Sequence, residues 1–407
     1  MTIVAWLLLV SPWLTVPGDG RAGPAEIDGA LRRGVVILVE RQENYAEGRG
    51  NAKEPPKPAS KEKPPREWPY EGVYRTGGEI PIGYRIGGTA ICATAMLESA
   101  AAQGEEPTAE AREAIERGLA FVLEGLEHPL MSAGFAGGYD VRGWGHAYAL
   151  GFLVRMRELG RIPKASRAKV DAAIRGLVDT LEKTQIKKQG GWNYSRGEDP
   201  DNAEPSTFMT APTLQFLFEA ARAGEKVDAK VVEHALAGLE AGRLETGAFQ
   251  YGVDPENQSG EGFEAVEGSI GRSPACEATL FLAGRGNVER IRGSLEAFFT
   301  HWEWLEQRRK QTGTHVGPFK IAPYYFFFAH RHAAQAIELL PEAERAGYRE
   351  KLYALLWKVR EEDGGWNDRV FPRSECFGTA MSMMALLAPR MPVPAGWPAP
   401  KKKPGAK

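Results

Sequence analysis

Residues 174–223 read IRGLVDTLEKTQIKKQGGWNYSRGEDPDNAEPSTFMTAPTLQFLFEAARA. Ile174, Leu177, Val178 and Leu181 fall at i, i+3, i+4 and i+7, while Asp171, Arg175, Glu182 and Lys183 occupy the other positions. That spacing predicts a helix with one face on the protein and one in water. From Thr207 to Ala223 small or apolar residues recur on nearly every face, the pattern of a helix surrounded by other helices. Between the two, Gly190-Gly191 permits a reversal with positive φ. Trp192 can plug the gap beside it, the burial of an aromatic being worth about 1.5 to 3 kcal/mol.

The same unit recurs along the chain. Mid-helix markers Gly34, Gly118, Gly176, Gly238, Gly293 and Ala354 are separated by 84, 58, 62, 55 and 61 residues. In the last copy Leu352, Leu355, Leu356 and Val359 repeat the amphipathic spacing. The other apolar helices are expected at 89–102, 144–158, 274–283, 323–340 and 375–388. Further reversals stand at Gly137-Gly138-Tyr139, Gly247-Ala248-Phe249 and Gly364-Gly365-Trp366. A unit of this period buries its apolar face on its neighbours. Six amphipathic and six apolar helices in alternation predict an all-α, (α/α)6 toroid, with outer and inner rings. An open solenoid would leave the apolar inner helices as a large exposed patch, which soluble monomers avoid.

Outside the repeat, Ile3 to Val16 is an apolar run followed by small residues around Gly18, Gly20, Ala22 and Gly23. It is shorter than the ~20 residues that span a bilayer and fits a secretory signal over 1–23, although it lacks a basic leading segment. The expectation is an exported protein, periplasmic or extracellular, with no membrane span after processing. No cysteine follows at which a lipid could be attached. The toroid is expected over 24–390. Residues 43–80, with six prolines between Pro55 and Pro69 among four lysines, read as a mobile insertion in the first copy. Residues 391–407, with a lysine run at 401–403, read as a basic disordered tail.

Bulk properties exclude little but point the same way. Of 407 residues, 43% are hydrophobic, enough for one large core, and the net charge of -2 exerts no pull on nucleic acid. Three cysteines, Cys92, Cys276 and Cys376, are not a disulfide framework. They read as small buried residues, although ring closure would bring Cys92 and Cys376 together.

The set Arg175-Gly176-Leu177-Val178, Gln185 and Gly190-Gly191-Trp192 resembles the QW-type motif of squalene and oxidosqualene cyclases, shared in weaker form with protein prenyltransferase β subunits. Ser206-Thr207 through Leu217 and Gly378-Thr379-Ala380 through Leu386 resemble inner helices of that superfamily. The resemblance covers roughly residues 26 to 390 and implies a central cavity that accepts polyprenyl chains. It does not extend to the catalytic motifs. There is no DxDD, the nearest sequence being Asp199-Pro200-Asp201-Asn202, and no DDxxD. The prenyltransferase zinc site, as the resemblance implies it, would draw on Asp140, Cys276 and His330 or His332, without the close Asp-x-Cys pair. No cofactor is expected, zinc being the one metal for which ligand types exist. The thioester and lanthionine-synthetase motifs of other α/α rings are absent.

Candidate cavity residues are Arg142, Trp144, Tyr148, Phe208, Phe216, Cys276, Glu277, Tyr324, Tyr325, His330 and His332, with Asp140 and His146 as acid/base candidates. Arg142 could hold a diphosphate through its planar fork, or pair with Asp140. Three functions remain open: binding of an apolar, polyprenyl-type molecule, with or without catalysis; a carbohydrate-active (α/α)6 enzyme; and a non-catalytic protein scaffold. The second needs two carboxylates ~5 to 9.5 Å apart, drawn from Asp140, Asp199, Asp254, Glu277 and Asp368. The lining of the cavity discriminates among them.

Overall fold

The computed structural model describes residues 23–45, 66–134, 140–194, 203–254, 256 and 259–398. Residues 1–22 of the expected signal segment, the Pro/Lys-rich stretch 46–65, Gly137-Gly138-Tyr139, Asp199 to Asn202 and the lysine run 401–403 lie outside them. The described residues form thirteen α-helices and no extended strand. The outer helices are α1 (Pro24–Glu40), α3 (Ala109–Gly125), α5 (Arg167–Thr184), α7 (Ala229–Ala241), α10 (Val288–Arg308) and α12 (Glu342–Lys358). The inner helices are α2 (Ile82–Ala101), α4 (Arg142–Glu158), α6 (Thr207–Arg222), α9 (Ser273–Leu282), α11 (Tyr325–Ile337) and α13 (Glu375–Leu387), with a single turn, α8 (Val266–Ser269), before α9. The expected inner helices are all present. The first begins seven residues earlier than expected, at Ile82, which moves Cys92 from a helix start to mid-helix.

Contacts between inner helices run α2 to α4, α4 to α6, α6 to α9, α9 to α11, α11 to α13 and α13 back to α2. The ring is therefore closed, and the fold is an α/α toroid. Its seam is heavily bonded. Arg373 donates to Glu43 at 2.8 Å, both buried, and Arg33 Nε donates to the carbonyl of Asp363 at 2.7 Å. Arg390 pairs with Asp28 at 2.6 Å. The Cys92 and Cys376 thiols sit near enough across this seam to influence each other's charge, as free thiols.

Three of the reversals lock an outer helix to the next inner one by the same two bonds. The Trp192 backbone N–H donates to Thr210 Oγ1 at 3.0 Å and its indole N–H to the carbonyl of Leu181 at 2.8 Å. Trp366 does the same with Thr379 and Leu356, at 3.0 and 2.9 Å. Trp68 repeats it with Thr89 and Leu38, at 3.0 and 2.6 Å. A tryptophan satisfies both ends of its amphipathic ring here: apolar body in the core, N–H on an orphan carbonyl of the last helical turn.

Trp68 corrects the expectation that 43–80 is one mobile insertion. Residues 43–45 and 66–80 belong to the first hairpin: Glu43 and Glu67 form an isolated bridge, and Trp68, Tyr70 and Ile80 are buried. The expected disordered tail is likewise corrected over its first part. Residues 391–398 run back across the ring, where Ala395 is buried and its N–H donates to Glu219 at 2.8 Å. Trp397 stacks on Phe218 and donates its indole N–H to Glu233 at 2.8 Å.

Candidate functional site: the central cavity

The inner helices all run in one direction, so the two ends of the ring differ. At the end of their N-termini the centre is filled by aromatic rings. Phe208 of α6 touches Phe328 of α11, ring centroids 4.1 Å apart, although α9 stands between those helices in the ring. Tyr70, Tyr84, Trp144 and Phe377 form a second cluster beside it. Deeper still, α6 and α11 meet again through Gln335, which donates to Gln215 at 2.8 Å, and Gln215 donates to Thr279 of α9 at 2.8 Å. These cross-ring bonds shut α9 out of the lumen.

Past the aromatic plug, toward the C-terminal ends of the inner helices, lies a cavity of about 240 Å³. Its wall is made by Ile91, Thr94 and Glu98 of α2; Tyr148, Gly151, Phe152, Val154, Arg155 and Glu158 of α4; Pro212, Gln215, Phe216, Glu219 and Arg222 of α6; Arg331, His332 and Gln335 of α11; and Met381 and Met384 of α13. Glu338, Arg345, Pro389 and the start of a strap, Met391 to Pro394, complete the mouth. Helix α9 contributes nothing to it. The body is apolar and the polar groups are few, the usual make-up of a small-molecule site, at the small end of the usual size.

Most charges on this wall are mutually satisfied. Arg155 grips Glu98 through two bonds of 2.6 and 2.9 Å. Arg222 reaches Glu158 at 3.1 Å and also pairs with Glu219. Arg345 lies 3.9 Å from Glu338 and donates to the carbonyl of Leu340. Arg331 differs: it is half-buried and has no hydrogen bond or ion pair among the described residues. Burial pulls its pKa down, against the weaker pull of Glu98 and Tyr148. Tyr148 lines the same wall at 8% exposure, and its hydroxyl is buried with no partner. His332 is held neutral, its pKa lowered to about 3 by burial and by Arg331, and its Nδ1 lies 3.2 Å from Gln335 Oε1.

Of the residues singled out in the sequence, Tyr148, Phe216 and His332 line this cavity. The others are placed elsewhere. Trp144, Phe208, Tyr324 and Tyr325 belong to the aromatic plug. Cys276 is buried with its sulfur 3.8 Å from the carbonyl of Thr207. Glu277 is gripped by Arg243 at 2.8 and 2.7 Å. His330 points away from the lumen, its Nε2 accepting from Trp302 of α10 at 2.9 Å. Asp140 and His146 serve to hold the start of α4: Asp140 accepts from the backbone N–H and Nε of Arg142, Arg142 Nη1 donates to the carbonyl of Ser132, and His146 Nε2 bonds the carbonyl of Met131 at 2.9 Å. This brace holds Val141 at φ 52, a left-handed conformation costly for a β-branched residue. Among the described residues no three His, Cys, Asp or Glu side chains gather as a metal site would require.

A second polar network sits at the plugged end. Asp368, its pKa raised to about 7 by burial, accepts from Tyr70 at 2.9 Å, and Arg369 donates to the same Tyr70 oxygen at 3.0 Å. Of the carboxylates that a glycosidase would pair, Asp140 and Glu277 are held by arginines, Asp254 accepts from the backbone N–H of Glu256, Asp368 is buried, and Asp199 lies outside the described residues. The residues that sequence reasoning missed are polar interruptions in the C-terminal halves of apolar helices: Glu98, Arg155, Gln215, Glu219 and Arg331. A charge within an otherwise apolar run was the available signal.

No protein-family model and no curated protein sequence matches the chain. Solved structures do. A possible member of the GH105 family from Klebsiella pneumoniae superposes with a TM-score of 0.51 at 15% identity, over 96% of this chain and 99% of that one. The GH76A α-1,6-mannanase of Salegentibacter gives 0.51 at 11%, over 89% and 98%. Similar structures also include the type II terpene cyclase MstE of Scytonema, at 0.44 and 12% over 90% and 99%. At such identities the likeness is one of fold, the α/α toroid, which serves unrelated chemistries.

Proposed function

We propose that this protein binds an elongated, mainly apolar small molecule, of polyprenyl or comparable type, in the central cavity, and does so without a metal or other cofactor. The observation that carries the reading is the cavity itself: a closed ring whose lumen is plugged at one end and apolar at the other, lined by Ile91, Phe152, Phe216, Met381 and Met384. Burying a chain of methylene groups there gains about 0.8 kcal/mol for each one removed from water. The carbohydrate-active reading finds no free carboxylate pair on the cavity wall, where Glu98, Glu158, Glu219 and Glu338 are each engaged by arginine. The apolar run 3–16 supports export, which N-terminal sequencing of the mature protein tests.

The binding reading is tested with Phe216→Trp. Phe216 is half-buried at the cavity wall, packed edge-on to Tyr148 at 5.3 Å, so a larger ring there grows into the lumen. Titration calorimetry with farnesol or decan-1-ol should show binding to the wild type, weakened at least tenfold in the variant, with little change in melting temperature. Absence of binding to the wild type would sink the reading.

A further inference from the structure

Three arginines of the cavity wall are paired with glutamates and the fourth is not. Arg331 projects from α11 into the cavity with no acceptor among the described residues. The carboxylate that acts on it electrostatically, Glu98, already spends both oxygens on Arg155. A guanidinium withdrawn from water without an acceptor is costly. Beside it the Tyr148 hydroxyl, buried on the same wall, is also without a partner, and the two groups are close enough to influence each other's charge. One cation and one hydroxyl donor, both unsatisfied and both on the wall of an apolar cavity, make a two-point cradle for an oxyanion.

We propose that Arg331 and Tyr148 form an oxyanion subsite, and that the apolar ligand of the cavity carries a carboxylate head that accepts from both. The proposal rests on the cavity-binding reading above and adds the chemistry of the head group to it. A singly charged carboxylate matches a single unpaired guanidinium. A dianionic phosphate would bring a second charge toward a wall that also carries Glu98, Glu158 and Glu219. No covalent step is involved.

The test uses the full-length protein, at pH 8, with decanoate, decan-1-ol and decyl phosphate titrated separately by calorimetry. Decanoate should bind about tenfold or more tighter than decan-1-ol, a difference that a charge-assisted pair readily supplies. Arg331→Met should abolish that preference; Tyr148→Phe should reduce it severalfold. The melting temperature of ligand-free Arg331→Met should equal or exceed that of the wild type, because the arginine has no native partner to lose. A fall in melting temperature together with an undiminished decanoate preference would assign Arg331 a structural role and overturn the proposal. Equal affinity of the wild type for decanoate and decan-1-ol overturns it while leaving the cavity reading standing. Tighter binding of decyl phosphate than of decanoate overturns the carboxylate assignment, and binding of none of the three overturns the cavity reading itself.

Discussion

At the scale of single residues, the buried histidines show how environment sets a role that residue type leaves open. His330 accepts from the Trp302 indole through Nε2 and bonds the carbonyl of Phe326 through Nδ1 at 2.7 Å. The Nε2 bond requires a neutral ring, since that nitrogen accepts, and burial lowers its pKa to about 4. The unfolded chain takes up the proton near pH 6.5 and the folded one does not, so stability is full above that value and falls as pH drops toward 4. The loss on this account is about 3 kcal/mol. Glu43, Asp368 and Glu375, raised to about 7 by burial, act with the opposite sign, since the folded state binds their protons first. The comparison that isolates the histidine is therefore urea denaturation of wild type and His330→Gln at pH 7 and pH 4.5, where the variant should lose less stability. The aromatic and histidine content of α11 was legible in the sequence. Which of His330 and His332 faces the lumen was not, because both are buried and residues two apart on a helix point to roughly opposite sides, either of which could be the lumen.

At the scale of elements, the glycines that mark the outer helices divide into two kinds. A Cβ on Gly238 would lie 2.3 Å from the backbone carbonyl of Gln189, and one on Gly34 or Gly118 would meet Met383 or Trp68. Gly176 and Gly293 have nothing within 4 Å. Gly238→Ala should therefore destabilise the protein, by about 1–3 kcal/mol as overpacked sites do, because a backbone carbonyl has no rotamer with which to give way. Gly293→Ala should stabilise it by about 0.5–1 kcal/mol through helix propensity and the unfolded chain. Chemical denaturation of the two variants checks both signs, and equal shifts would refute the distinction. The periodic marker was readable from spacing alone. Its physical meaning required knowing what lies opposite each position. The first copy's tryptophan was hidden for a related reason: Trp68 follows the proline-rich stretch and lacks the preceding glycine pair, yet the same two hydrogen bonds hold it.

At the scale of the whole molecule, the strap from Met391 to Pro398 joins fold to function. Met391, Pro392, Val393 and Pro394 form part of the cavity mouth, and the strap is anchored beyond it by Ala395 on Glu219 and by Trp397 on Phe218. Ending the chain after Arg390 should leave the closed ring intact, since α13 still meets α2 and α1. It should widen the mouth, so that decan-1-ol dissociates at least severalfold faster in stopped-flow measurements. An unchanged rate would show that the ligand leaves by another route.

The sequence by itself determined the repeat, the alternation of half-buried and fully buried helices and hence the toroid, because those follow from periodicity and from the need of each hairpin to cover its neighbour's apolar face. Only the tertiary structure decided where the lumen is. Closing the ring pinches α6 against α11, excludes α9 and fills one end with aromatic rings, leaving the cavity at the C-terminal ends of five inner helices. A helix buried on every side carries no mark in its own sequence of which side faces the centre. That direction is set by the helices packed around it, and it is what leaves Arg331 and Tyr148 without partners on one wall.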